Sequence, residues 1–545
     1  MSLSRARSRF RFFVIWGSIT TGACLLPENC LGQWQASESA PERAVMPAVK
    51  HDVSLPLWQL AAMSSHGGDA SDASKEADVE EDGRQARPMT PLSAEPAVDP
   101  MAQIEASGAL VAVPGLNFDG VPGTNYKAPD TNGAVGATQY VQWVNLRYSV
   151  YNKTSGAKVL GPTDGSNFWA GFGGDCQTQN QGDVIAQYDK AAGRWVMTHR
   201  AGPTSGPYLE CVAVSVTSDA TGSYYRYAFV NPFNDFFTDY PKLASWPDGY
   251  YFSTDLQDAS NHFKFQQSMV CAFQRSQMLL GKAASEQCFL VPKTTIYSLL
   301  PSDVDGSTAP PAGSPSYFIN LDNANNSLDF WRFHVNWTTP SDSTFTGPTL
   351  INLPLFTEAC HGGQCIPQPN TTEVVDSLGD RVMYRLSYRN FGSYESLLVT
   401  HSVNVGASVG IRWYEIRHPE GNPPVGHQAG TYAPDSNFRW MPSIAQDKVG
   451  DIAVGYSVSS SSMYPSIRYT GRVPTDPLGT MESEATVING SGSELPPDWR
   501  WGDYTAMTID PSDDCTFWYT NEYYSVSSVQ SWRTRITSFK FPGCN

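Results

Sequence analysis

One cadence recurs along most of this chain and limits its folds more than any other feature. A polar turn holding Asp or Trp leads into a short apolar strand, and a tight turn and a second, aromatic strand follow. The clearest copy is RWMPSIAQDKVGDIAVGY from Arg439 to Tyr456. Others are WGDYTAMTID from Trp501, continued by CTFWYTNEY from Cys515, and GDVIAQYD from Gly182, continued by RWVMT from Arg194. DYPKLASWPDGYYFS from Asp239, DTNGAVGATQYVQWV from Asp130 and GDRVMYRLSY from Gly379 repeat it, and SPSYFIN from Ser314 is the faintest copy. The seven anchors lie near 130, 183, 239, 315, 380, 440 and 503, spaced by roughly 53 to 76 residues, about what a four-stranded propeller blade with generous loops needs. A sandwich requires no such period. The spacing therefore predicts an all-β, seven-bladed β-propeller over 107–545. Gly108–Phe118 is expected to supply a strand that closes the ring against Arg535–Phe541.

Composition agrees. From about residue 108, runs of Val, Ile, Tyr, Phe and Trp alternate with Gly/Asn/Asp/Pro turns, and amphipathic helical patterns are absent. The preceding stretch is different. Arg5, Arg7, Arg9 and Arg11 precede the apolar run Phe12–Ile19, with small residues before Cys24. This reads as a signal peptide over 1–33. A lipid anchor at Cys24 is disfavoured by Thr21 three positions before it. Residues 34–106 are rich in Ser, Ala, Pro and Glu and carry an acidic run from Asp69 to Asp82. They read as a disordered acidic linker, because they cannot bury enough apolar surface to fold alone.

Eight of the ten cysteines lie beyond the leader: Cys176, Cys211, Cys271, Cys288, Cys360, Cys365, Cys515 and Cys544. An even number in an exported chain suggests disulfides. Eight cysteines leave many connectivities open; local pairing (176–211, 271–288, 360–365, 515–544) is the simplest. Cys360-His361 has no second Cys/His pair at zinc spacing, so no metal is assigned there. A net charge of −17 argues against nucleic acid as a partner. No later apolar run approaches the roughly 20 residues of a membrane helix. A secreted or periplasmic monomer is expected.

In a propeller the turns leading into the innermost strands crowd together at one mouth. The anchors therefore predict a constellation there. Asp183, Asp239, Asp380, Asp503 and Tyr504 are its candidate catalytic groups, since paired carboxylates serve as acid and base or nucleophile in glycoside hydrolysis. Asp130, Lys242, Arg381, Arg439, Trp440, Arg500 and Trp501 are its candidate ligand-binding groups, with Tyr240 among the aromatics. Arginine grips carboxylates bidentately, and aromatic faces cover the apolar side of a sugar ring. A carbohydrate or other polar polymer is the ligand this set suits. The competing reading is an interaction scaffold without catalysis, in which each Asp accepts N–H groups of its own turn and Asp–Arg pairs tie blades together. Clustered carboxylates repel one another, so arginines or a calcium ion must compensate. Calcium is the one cofactor considered. Ser302-Asp-Val-Asp-Gly306 lacks the remaining ligands of a calcium loop and reads as a surface turn.

Gly406-Ala-Ser408-Val-Gly410 matches the nucleophile-elbow pattern, but it lies between two strand-like runs and reads as a hairpin. His401 and Tyr384 are the candidates for a lyase-type general base.

The runs DYPKLASWPDGYYFSTD, LGDRVMYRLSYRNF with LLVTHSVN, GTYAPDSNFRWMPSIAQDKVGDIAVGYSVSS and RWGDYTAMTIDPSDDCTFWYTNEYY resemble a group of large secreted bacterial proteins of uncharacterised function, over roughly 110–545. The resemblance implies a bacterial, exported, propeller-like domain and transfers no activity or site. More distantly, the blades are similar to those of the sialidase and BNR-repeat superfamily. Gln446-Asp447-Lys-Val-Gly450-Asp is reminiscent of an Asp-box turn but lacks its Ser-x-Asp-x-Gly-x-Thr-Trp pattern. That likeness would put Arg381, Arg439 and Arg500 on a substrate carboxylate beside Tyr504 and Glu522.

Overall fold

The computed structural model describes residues 41–64 and 99–545, apart from 124–127, 203–206, 234–235, 293–294, 422 and 498. The leader read at 1–33 and the acidic run at 69–82 lie outside the described residues. Among those described, the protein is all-β. The longest helix among the described residues is the eight-residue Leu57–Ser64, and none of those described is long and apolar enough to cross a membrane.

The chain forms successive four-stranded antiparallel meanders. The first runs through Thr131–Val135, Gln139–Val144, Arg147–Asn152 and Lys158–Asp164. The second begins at Ile185–Asp189 and ends at Tyr224–Val230; the third begins at Phe237–Trp246 and ends at Ser285–Leu290. A nine-stranded sheet holds the next two. Their first strands, Leu300–Asp305 and Met383–Asn390, pair in parallel from Ser302↔Leu386 to Asp305↔Arg389. The sheet starting at Phe438–Gln446 follows. The last has three strands from Ala506–Ile509 to Arg533–Lys540 and takes Val113–Pro122 as its fourth. Phe118 sits opposite Ile536 and Asn117 opposite Thr537, so the expected closing strand is in place.

The first strands touch in sequence from each sheet to the next, and Ala506–Ile509 returns to Thr131–Val135. These innermost strands are buried along their lengths, where the first strands of neighbouring sheets pack against one another. They are buried although they carry polar residues, as in FTDYPKLASW of Phe237–Trp246, whereas the outermost Lys158–Asp164 is largely exposed or half-buried. Between sheets the contact is aromatic, as where Tyr469 stacks on Phe539 with ring centroids 3.8 Å apart.

Six anchors fall at or just before innermost strands. The seventh does not: Ser316–Asp322 is the second strand of its sheet, and Leu300–Asp305 is the first. The stretch read as a surface turn is thus a buried strand. Its carboxylates Asp303 and Asp305 misled the reading, because both are buried against Arg385. The linker reading of 34–106 also needs correction. Arg43–Pro47 adds to the edge of the third sheet and Lys50–Val53 to that of the second, while Ala102–Gln103 pairs with Val425–Tyr432. These short polar strands gain order from ladder bonds on ready-made edges, not from a core of their own.

All four disulfides join the local partners, Cys176–Cys211, Cys271–Cys288, Cys360–Cys365 and Cys515–Cys544. Ser408 follows a tight turn, with Val405 paired to Ser408 across a hairpin.

Candidate functional site

The innermost strands all begin at one end of this ring, the near end, and the polar cluster sits there. Proline shapes part of it. Pro241 has no N–H to give the ladder, and the register slips between Asp239 and Lys242. Met441-Pro442 makes the same slip between Trp440 and Ser443. Tyr240 and Met441 take up the strain at φ of 54° and 50°. The first bulge points Lys242 into the middle of the ring.

Lys242 is wholly buried. Its Nζ lies 3.3 Å from the Tyr240 ring centroid and 4.2 Å from that of Tyr504, and donates to the Pro241 carbonyl at 2.9 Å. Burial pulls its pKa down to about 7; the fields of Asp183, Asp503 and Asp130 oppose this, and Arg381 adds to it. Asp130 is pushed up by burial and then by Asp503 and Asp183, with Arg500 offsetting part of the rise. One carboxylate oxygen of Asp130 accepts the Asp503 N–H at 2.8 Å, tying the last sheet to the first. Asp183 accepts the Tyr240 N–H at 3.3 Å. The Arg200 Nη1 stands between Asp183, at 3.5 Å, and Asp239, at 3.4 Å. Arg500 binds Asp503 and approaches Asp376 at 3.7 Å.

The structure thus brings together Asp130, Asp183, Asp239, Lys242, Arg500, Asp503 and Tyr504. Arg381 adjoins them over the Tyr240 ring at 4.8 Å, while its Nε binds Asp380 at 2.9 Å. Other predicted members go elsewhere. Arg439 is buried against Asp435 at 2.8 Å and Glu484 at 3.0 Å. The three arginines therefore do not converge as the sialidase likeness would require; each has its own carboxylate partners. Trp440 and Trp501 meet edge to face at 5.5 Å as core, and Trp501 gives its indole N–H to Ser457. Neither presents a face for a sugar ring. His401 bonds the Tyr414 hydroxyl at 2.9 Å, whereas Tyr384 lies against Gln187 and Tyr504 in the ring, so the two lyase candidates are apart.

The sequence reading missed Arg200, and it reached Glu522 only through the sialidase likeness. Both end second strands, Arg194–Ala201 and Phe517–Tyr523. An antiparallel partner returns to the end where its hairpin began, so its last residues face the same cluster. Glu522 accepts the Gly502 N–H there. Of the two kinds of charge compensation expected, arginines or a calcium ion, the arginine kind is seen in Arg200 and Arg500, with Lys242 beside them.

No family model matches the chain, and no curated protein matches it. Among solved structures it is similar to a protein of unknown function from Dyadobacter fermentans DSM 18053, at 9% identity over 66% of this chain and 94% of that one, with a TM-score of 0.35. It is also similar to Drosophila Semaphorin 1b extracellular domains 1–2, at 9% identity over 81% and 88% with a TM-score of 0.34. An exo-β-1,3-galactanase from Clostridium thermocellum aligns at 11% identity over 78% and 97%, with a TM-score of 0.30. All three are distant, and the fold description stands on the chain's own sheets.

Proposed function

We propose that this protein is an exported, seven-bladed β-propeller that binds a carbohydrate or other polar polymer at the near end of its ring. Seven four-stranded units in cyclic contact, the last completed by Val113–Pro122, support the blade count. Four disulfides support export, together with the leader read at 1–33. The observation that carries the binding role is the convergence of Asp130, Asp183 and Asp503 on a buried Lys242 between tyrosine rings. Gathering desolvated charge costs stability, and such clusters concentrate at sites that act on ligands. Arg381, half-buried beside Tyr240 and Tyr297, is the group assigned to meet the ligand.

Cleavage is not part of the reading. Asp183, Asp239 and Asp503 each face an arginine, which suits binding and rigidity better than proton transfer. The same pairing favours the second reading, a scaffold whose polar groups only tie blades together. A panel of neutral and acidic polysaccharides, scored for binding and for released reducing ends, separates the two. Expected are binding to at least one class, a loss of tenfold or more in Arg381→Ala, and no released product. Silence across a broad panel sinks the binding role, and released product overturns the non-cleaving one.

A further inference from the structure

The opposite end of the ring, where the innermost strands finish, holds a cavity of about 220 Å³. Its lining comes from Asp189 and Lys190 of the second sheet, Trp246 of the third, Val304 of the next, and Pro511 and Asp514 of the last. Residues from the second, third and last sheets meet only around the common axis, so the cavity lies on it. None of these groups belongs to the near-end cluster.

The walls are mainly apolar, with Trp246, Pro247, Pro310 and Pro511 contributing, and two cations stand in them. Arg275 spends its Nε and one Nη2 hydrogen on Asp189, at 2.6 and 3.1 Å, and one Nη1 hydrogen on the Pro247 carbonyl at 3.2 Å. The Tyr250 hydroxyl engages it as well, which leaves one of its five N–H groups. Lys190 binds Asp305 and reaches the Val304 carbonyl at 3.4 Å, leaving one ammonium hydrogen. The acceptors beside them are nearly full. Asp189 takes both Arg275 bonds, the Ala192 N–H at 3.0 Å and the Tyr250 hydroxyl at 2.9 Å. Asp305 takes Lys190, Arg385 and the Ser387 hydroxyl. Asp514, on the last sheet, is held bidentately by Arg389 at 2.7 and 2.8 Å. Around Lys190 and Arg275, donors therefore exceed acceptors, and an occupant must bring acceptor oxygens on an apolar body.

From this we infer a second binding site at the far end, specific for a small monocarboxylate with a flat apolar body, its carboxylate taken by Lys190 and Arg275 and its body held between Trp246 and the prolines. The Ser307–Pro315 loop forms part of the rim, pinned where Asn390 donates to the Ala309 carbonyl at 2.7 Å.

Benzoate and its neutral isostere benzamide are the probes, read by isothermal titration and saturation-transfer NMR on the full chain. Benzoate is expected to bind saturably, and benzamide at least tenfold more weakly. Lys190→Gln should weaken benzoate about tenfold while leaving benzamide nearly unchanged. Ala309→Trp, at an exposed rim position, should fill the opening and abolish both. If Lys190→Gln fails to fold, the benzoate-to-benzamide ratio and Ala309→Trp still decide. Absence of saturable benzoate binding, equal affinity for the two probes, or unaltered binding in Ala309→Trp overturns the site. The polysaccharide panel reads the other end, so either proposal can fail alone.

Discussion

The ammonium of Lys242 lies 3.3 Å from the centre of the Tyr240 ring, two residues before it in the same strand. The strand bulges at Pro241, between the two residues, and the contact holds a wholly buried cation against an aromatic face.

That burial has a pH signature. The pKa of Lys242 is about 7 in the fold, well below its ordinary value of 10.5. Between these values the unfolded chain binds a proton that the folded chain lacks, so this group makes stability rise with pH from about 7 towards 10, by at most about 1.4 kcal/mol per unit. Below about 7 both states carry the proton and the cost of the buried charge is fully present. Denaturant unfolding at about pH 7, 8 and 9 should show this rise in the wild type and its loss in Lys242→Met. Parallel pH dependences in the two proteins would disprove the assignment.

Asp99 sits in the stretch whose composition reads as linker, yet it meets Arg412 at 2.6 Å with both side chains almost fully buried. Asp99→Ala strands an uncompensated guanidinium inside the protein and should cost about 3–5 kcal/mol in equilibrium unfolding. An effect under about 0.5 kcal/mol, the range of an ordinary surface substitution, contradicts the ordered contact.

Deleting residues 41–54 removes the strands that cover two sheet edges. It also removes Asp52, which holds Arg226 at 2.7 and 2.9 Å. Hydrogen exchange should quicken by at least about tenfold in Tyr224–Val230 and Ser285–Leu290, and the bared edges should promote self-association visible by light scattering. Unchanged protection at both strands would show the edges to be self-sufficient.

Cys515–Cys544 closes a span of 29 residues and fastens the C-terminus to the last sheet. The double Cys→Ala variant should lose about 3–4 kcal/mol by chain-entropy reasoning. Chemical denaturation without reductant measures it, and an unshifted midpoint excludes a stabilising role.

The all-β class, the local disulfides, the closing strand and six of the innermost strands were legible in the sequence, because each follows from local pattern. Strands packed between sheets are rich in aromatic and β-branched residues, turns between strands need Gly, Asn, Asp or Pro, and nearby cysteines pair across a hairpin or small loop. Leu300–Asp305 escaped because Ser302-Asp-Val-Asp-Gly306 has the composition of a surface turn, and the arginine that neutralises its two aspartates is about 80 residues further on, at Arg385. For the same reason the sequence could nominate Arg439 and Trp440 for the near-end cluster but not exclude them. Which carboxylate an arginine faces, and whether an indole is core or surface, depends on neighbouring sheets. The edge strands at 43–53 and the far-end cavity were decided by tertiary structure alone. An edge acquires a partner, and four strand ends enclose a space, only after the sheets have assembled.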